Sequence, residues 1–447
     1  MSYIFCNREK ITLPKAAEHP IILELLQNAA SDVDWTLDFS GEGNEIYLGD
    51  PEKSGCDVTD FHFTVSERGI RIVGCDFSSM MRGFTHFLLN ISYSGDEKAF
   101  FVPDVTFNGS PKVKFRCVHF CVFPETELDF LKKCVRSAAM AKYSHVVLEF
   151  WGMLKYDCMS ELSWPFAYTK DEIREVAREA NALGVEVIPM VNHLGHASSC
   201  REINGKHVVL DQDPRLEYMF DSYGWVWKFE REDVYALLRK MREELIDVCG
   251  DGKYFHLGCD EAYRFSHNTD EALKMVDYLN RVSAELEAVG RRAIIWHDMF
   301  LSEEECAGYI AFSTSEVADK AIERLSRRVI IADWQYSKHG ECWKTSKKFK
   351  ELGFDVICAP WDNPKNVEEA VMTADQLELM GIMQTTWHTL FHGFREMVYA
   401  GALSYGLEGS ESDARRFLCA HIARRAMPSM GDYYSAGWAE RMTGPGL

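Results

Sequence analysis

The sequence predicts an α/β chain: a closed (β/α)8 TIM barrel preceded by a small α+β domain. Three observations carry that expectation. From Lys114 onward, short apolar runs alternate regularly with amphipathic stretches, which is the pattern of parallel β/α architecture. Before about residue 110 that alternation is missing. The chain has 447 residues with 47% hydrophobic content, too long for one ordinary domain but suited to a barrel plus a smaller unit.

The first region carries strand-period alternation in EIYLGD, FHFTVS and GIRIVG, and helical spacing in MMRGFTHFLL around Met80 to Leu89. Barrel strands are then predicted as FRCVHFCV from Phe115, HVVLEF from His145, VEVIPMV from Val185 and YFHLGC from Tyr254. RAIIWH from Arg292, VIIADW from Val329, FDVICAP from Phe354 and GIMQTTW from Gly381 complete the set. Helical patterns such as ELDFLKKCVRSAAMAK and KDEIREVAREANAL fill the intervals. Eight such units over about 280 residues match a closed barrel with right-handed crossovers, the alternative being a doubly wound open sheet. The division expected is a small domain over residues 1–110, the barrel over 111–395 and a C-terminal helical extension over 396–447. After strand 3 the chain takes roughly 35 residues, from Asn192 to Glu230, where two to six usually suffice. A loop of that length at the C-terminal end of a barrel strand is expected to be functional, and it carries Trp225 and Trp227.

Composition narrows the partners. A formal net charge of -20 argues against phosphate backbones and anionic membrane surfaces, so neither nucleic acid nor membrane is an expected partner. MSYIFCNREK is not a basic segment followed by an apolar run, and no stretch of about 18 apolar residues follows, so a soluble cytoplasmic protein is expected. The fourteen cysteines include no C-x-x-C pair and are expected to be reduced, mostly buried thiols. A homodimer is compatible with the sequence.

Strand 4 ends in His256-Leu257-Gly258-Cys259-Asp260-Glu261, which places adjacent carboxylates at the rim where barrels display reactive groups. Asp-Glu pairs are commonly solvated loop charges, but this one follows an apolar strand and a small-residue turn. Of eleven tryptophans, Trp151, Trp296, Trp334, Trp361 and Trp387 end strands 2, 5, 6, 7 and 8. One such residue is ordinary packing; five on one rim suit a sugar ring and its acyl group.

On these segments the chain resembles glycoside hydrolase family 20, the β-N-acetylhexosaminidases, and within it the branch similar to hexosaminidase D. YFHLGCDEAY is similar to the family's strand 4 signature, and GVEVIPMVNHLGHAS to its strand 3 motif ending in Gly-His. VKFRCVHF is similar to the strand 1 motif, and AIIWHDMF and QTTWHTL to the tryptophan-bearing strands 5 and 8. Three positions depart from the pattern: Asn192 and Cys121 where aspartates are common, and Thr389 where a glutamate is common.

The resemblance implies a retaining exo-enzyme that releases terminal β-linked GlcNAc or GalNAc from glycans, the substrate's own 2-acetamido oxygen being the nucleophile. Asp260 would orient and polarise the acetamide, and Glu261 would be the acid and then the base for water. Arg116 and Glu149 would hold sugar hydroxyls. Trp296, Trp334, Trp361 and Trp387 would wall the sugar and its N-acetyl group, and Tyr336 would donate to the acetamido oxygen. Asp298 would orient polar groups, and His196 and His256 would support the carboxylates. No cofactor or metal is expected. Two rival readings are a metal-dependent barrel hydrolase using His193, His196, His256, Cys259 and Asp260, and a non-catalytic glycan-binding homologue.

Overall fold

The computed structural model describes residues 2–4, 9–14, 18–31, 36–39, 45–49, 59–67, 69–198, 205–221, 224–266, 268–305, 314–336, 343–387, 390–407 and 412–427. Eight parallel strands close into a barrel in sequence order: Phe115–Val122, His145–Phe150, Glu186–Met190, Tyr254–His256, Arg292–Trp296, Ile330–Trp334, Asp355–Ala359 and Gly381–Thr386. They are called barrel strands 1 to 8. Strand 8 pairs back onto strand 1, from Gly381 opposite Phe115 to Thr386 opposite Phe120.

Strand period decides which residues meet inside. Phe115, Cys117, Val147, Ile188, Ile294 and Met383 belong to one buried cluster in the barrel interior. Their sequence neighbours Val118, Phe120, Val146 and Leu148 face the other way, into the larger core shared with the surrounding helices. Those helices are locally well specified. Lys170–Ala182, for example, starts in a capping box in which Thr169 accepts from the Glu172 N–H while Glu172 reaches back to the Thr169 N–H.

The N-terminal region is the small α+β unit expected. Its five-stranded sheet has the order Lys10–Thr12, Glu45–Gly49, Gly69–Gly74, Phe61–Ser66, Thr106–Asn108. Helix Phe77–Asn90 packs on that sheet and meets the barrel through Thr85, whose hydroxyl donates to the Ala139 carbonyl at 3.3 Å. A second, antiparallel sheet joins Ser2–Ile4, Ala99–Pro103 and Ser92–Ser94.

Two sequence expectations change here. Helix Leu390–Tyr405 runs across the barrel, with the Met397 carbonyl accepting from Tyr143 Oη at 2.7 Å and the Ser404 carbonyl from the Val113 N–H at 2.9 Å. The expected division at residue 395 falls inside this one helix, so the chain does not pass to a separate unit there.

Arg116 is the second correction. It lies at the N-terminal end of strand 1, on the outward-facing register, with Nε donating to the Lys142 carbonyl at 2.7 Å and Nη1 to Val113 and Lys114 carbonyls at 2.7 and 2.8 Å. Its guanidinium lies over the Tyr405 ring, and Tyr405 donates to Asp60, which pairs with Arg82 of the N-terminal helix. Burial lowers Arg116 to about 10. At the base of the barrel it joins the two regions and cannot reach a sugar at the mouth.

Candidate active site

The end of strand 4 is bent by backbone conformations that most residues avoid. Gly258, Cys259 and Glu261 have φ of 65°, 77° and 51°. Gly258 is required twice over, because a Cβ there would also stand 2.2 Å from Asn192 Oδ1. A Cβ on Gly195, in the strand 3 loop, would stand 2.1 Å from the Asp260 carbonyl oxygen. These small residues let the two turns close on each other and fix Asp260 and Glu261 at the rim.

The Glu261 peptide is held from both sides. Its N–H donates to Asp298 Oδ2 at 2.8 Å, and its carbonyl accepts from Trp225 Nε1 at 2.7 Å. The side chain is 29% exposed and faces the opening. One imidazole serves both carboxylates, with His196 Nε2 3.2 Å from Asp260 Oδ2 and 3.1 Å from Glu261 Oε2. Burial opposes the imidazolium, but the Asp260 charge and the hydrogen bonds to both carboxylates outweigh it and lift His196 to about 9. Burial also opposes ionised Asp260, yet His196 and then Lys206 hold its carboxyl below the usual range. Asn192 Nδ2 donates to Asp260 Oδ1 at 3.1 Å. Behind them, burial and the Asp260 charge push the Asp298 carboxyl well above the carboxylate range. The site therefore favours the ionised form of Asp260 and disfavours that of Asp298 behind it.

Between these groups and the facing wall lies a cavity of about 340 Å³, lined by Trp151, His196, Lys206, Asp260, Glu261, Trp334, Tyr336, Trp361 and Trp387. This is at the small end of ligand pockets, which run from about 300 to 1,000 Å³. The aromatic wall is continuous: Trp334 stacks on Tyr336 at 5.3 Å, Tyr336 meets Trp361 at 5.1 Å, and Trp387 Nε1 donates to Tyr336 Oη at 2.5 Å. Burial pushes the Tyr336 hydroxyl up, so it stays protonated and available as a donor.

Seven of the residues singled out from the sequence meet at this cavity: His196, Asp260, Glu261, Trp334, Tyr336, Trp361 and Trp387. Four other candidates from the sequence stand behind the wall, where Asp298 and His256 were expected in supporting roles but Glu149 and Trp296 were expected against the sugar. Trp296 is wholly buried under Trp387, with ring centroids 5.5 Å apart. His256 is buried against Trp296 at 4.5 Å, its Nδ1 accepting from the Gly258 N–H at 3.0 Å, and burial lowers it to about 3. Asp298 holds the Glu261 backbone from beneath, and Glu149 is screened by Lys206. Thr389 lies outside the described residues.

Lys206, which the sequence did not single out, is a wall residue, and so is Trp151, noted only as one of the rim tryptophans. Lys206 Nζ lies 3.2 Å from Glu149 Oε2 and 3.7 Å from the centre of the Trp151 ring. Lys206 sits in the long strand 3 loop, where no periodicity marks a buried lysine; the string KHVVL, a lysine entering an apolar run, is the only cue. The cluster considered for a metal does not assemble, since His193 turns away to the Val191 carbonyl and Arg242. Among the described residues a different trio, His119, Cys121 and Glu149, brings ligand atoms within 4.8 Å of one another. The Lys206 ammonium already balances the Glu149 charge there, which leaves a cation little to gain.

The glycosyl hydrolase family 20 catalytic domain matches residues 142–388, more than half of the chain. The β-N-acetylhexosaminidase structure from Streptomyces coelicolor A3(2) superposes with a TM-score of 0.66 at 14% identity, over 96% of this chain and 95% of the other. That of the exo-β-N-acetylglucosaminidase from Vibrio harveyi with N-acetylglucosamine gives 0.63 at 16% identity, over 99% of this chain and 73% of the other. Among curated sequences, lacto-N-biosidase of Bifidobacterium bifidum is 22% identical over 60% of this chain, and hexosaminidase D of Bos taurus 27% identical over 26%. The matched segments span only 24% and 32% of those two relatives. The chain belongs to glycosyl hydrolase family 20.

Proposed function

We propose that the protein is a retaining exo-β-N-acetylhexosaminidase acting on glycans that end in β-linked GlcNAc or GalNAc, by substrate-assisted catalysis. One observation carries this reading. Among the described residues that line the cavity, the only carboxylates are Asp260 and Glu261, adjacent in sequence and bridged by the same His196. A double displacement through an enzyme carboxylate needs a second carboxylate across the ring, about 5 Å from the acid. Glu149, the other buried carboxylate nearby, is screened by Lys206. A nucleophile from the substrate removes the need for one.

In this reading Asp260, kept anionic, accepts the acetamide N–H and stabilises the positive charge that grows as the acetamido oxygen attacks the anomeric carbon. Tyr336 donates to that oxygen, and Trp334, Trp361 and Trp387 enclose the methyl group and the sugar face. Glu261, fixed by its clamped peptide, gives its proton to the leaving oxygen and then takes one from water. The small cavity favours one terminal ring, hence exo action.

The test is hydrolysis of para-nitrophenyl β-N-acetylglucosaminide, with product stereochemistry followed by NMR. Retained β configuration and inhibition by a thiazoline mimic of the cyclised intermediate are expected. An inverted product, or a sugar trapped covalently on a protein carboxylate, would overturn the mechanism.

A further inference from the structure

Lys206 is the only lysine or arginine among the described residues lining the cavity, and it is 2% exposed. Burying an ammonium costs several kcal/mol unless it is paired, so its position calls for a reason. Its backbone is fixed by hydrogen bonds from the Lys206 N–H to the His196 carbonyl at 2.7 Å and from the His207 N–H to the Ala197 carbonyl at 3.1 Å. The ammonium meets one carboxylate oxygen, of Glu149 at 3.2 Å, and two aromatic faces, of Trp151 at 3.7 Å and Trp387 at 4.9 Å. An ammonium has three N–H donors, and aromatic faces attract the charge without being oxygen acceptors. Glu149 does not depend on Lys206 alone, because it also accepts from Trp151 Nε1 at 3.1 Å and lies 3.3 Å from His119 Nε2. A lysine serving only as counterion has no need to form part of the cavity wall.

Trp387 locates this group relative to the chemistry. Its indole N–H is spent on Tyr336, while Lys206 lies over its ring. The ring thus has the acetamide-binding groups along one edge and the ammonium against its face. Arg116, expected to bind sugar hydroxyls, is committed to the barrel base.

We propose that Lys206 reads a ring hydroxyl of the terminal hexosamine, its ammonium donating to the hydroxyl oxygen, with Glu149 as the positioning residue that holds the ammonium at the wall. This rests on the reading of the cavity as the sugar site. Since Glu149 already balances the charge, the pair selects an uncharged, hydroxyl-bearing ring.

The experiment crosses variants with substrates. Wild type, Lys206→Met and Lys206→Arg, as full chains checked by thermal melting, are assayed on para-nitrophenyl β-N-acetylglucosaminide and on analogues lacking the hydroxyl at ring carbon three, four or six. Wild type should disfavour the analogue lacking the contacted hydroxyl by about 10- to 100-fold in kcat/KM, the usual cost of an unmade hydrogen bond to a buried charged group. Lys206→Met should lose about as much on the parent substrate and nothing further on that one analogue, because the contact is lost only once. A loss of the same size on all four substrates would mean a purely structural lysine and overturn the proposal. If the methionine variant does not fold, the arginine variant decides: its altered reach should change the ranking of the analogues, and an unchanged ranking overturns the proposal. Turnover by wild type with no discrimination among the analogues refutes the role of Lys206 alone, whereas no turnover of any substrate refutes the proposed function and this inference with it. Glu149→Gln should raise KM more than it lowers kcat.

Discussion

The barrel buries charge at both ends, and the two ends treat it differently. At the base, Asp60, Arg82, Tyr405, Arg116 and Lys142 form a closed network, with Lys142 Nζ donating to Thr85 Oγ1 at 2.8 Å and to the Arg82 carbonyl at 3.0 Å. At the mouth, Glu149 Oε1, Asn192 Oδ1, His256 Nε2, Trp296 Nε1 and Asp298 Oδ1 find no protein partner among the described residues, and Cys259 and Glu261 hold positive φ. The residue types overlap, but the base satisfies its polar groups while the mouth leaves them poised around a cavity. Networks of the first kind tie regions together; arrangements of the second kind are where catalysis is built, at a cost in stability.

The comparison breaks most visibly if the base proves to matter for chemistry. Asp60→Ala strips the anion from a buried set of cations and should cost about 3–5 kcal/mol of stability, as expected for breaking a buried pair. Activity per folded molecule should be unchanged, and a fall in kcat of the folded variant would erase the distinction. Trp387→Ala at the mouth should do the reverse. It should cost about 1–3 kcal/mol in kcat/KM through lost contact with sugar and acetamide. Unchanged kinetics in a folded variant would remove this ring from the site.

Smaller effects sharpen the picture of the mouth. Trp225→Phe keeps an aromatic side chain, though a smaller one, but deletes the N–H that holds the Glu261 carbonyl, and should lower kcat by roughly tenfold with little change in KM. A larger effect on KM than on kcat would place Trp225 on the substrate instead. The smallest expected effect concerns pH. The folded-state value of His196 is raised to about 9 from an ordinary value near 6.5, so its contribution to stability is full below about 6.5 and is lost as pH rises through about 9. His196→Asn should flatten the stability profile across that window. The same alkaline decline in wild type and variant, measured by denaturant midpoints, would assign it to other groups.

Much of this was legible because the physics behind it is local. All eight barrel strands are near-continuous apolar runs such as HVVLEF and RAIIWH, the pattern of strands buried on both faces, and they appear where expected. The Asp260–Glu261 pair was legible because a rim turn of small residues follows one of those runs. Arg116 was misplaced although the strand period held the answer. With Cys117 in the barrel interior, the adjacent Arg116 faces out, and as the second residue of the strand it sits at the base. Trp296, expected against the sugar, lies one layer deeper, since a sequence shows which strand a residue ends but not how far the next ring covers it. Lys206 was missed because its burial depends on Glu149 and Trp151, which meet it only across the folded strand 3 loop.

The central claim, that the two adjacent carboxylates divide the labour of a substrate-assisted reaction, is tested most directly by their leaving-group dependence. Glu261→Gln and Asp260→Asn would be assayed on aryl β-N-acetylglucosaminides of graded leaving-group acidity. Loss of the acid should be severe on poor leaving groups and largely spared on activated ones, which depart with little protonation. Loss of the acetamide-orienting anion should be severe on both, because the attack itself is impaired. If the two variants respond alike to leaving-group quality, Asp260 and Glu261 do not divide the labour as described.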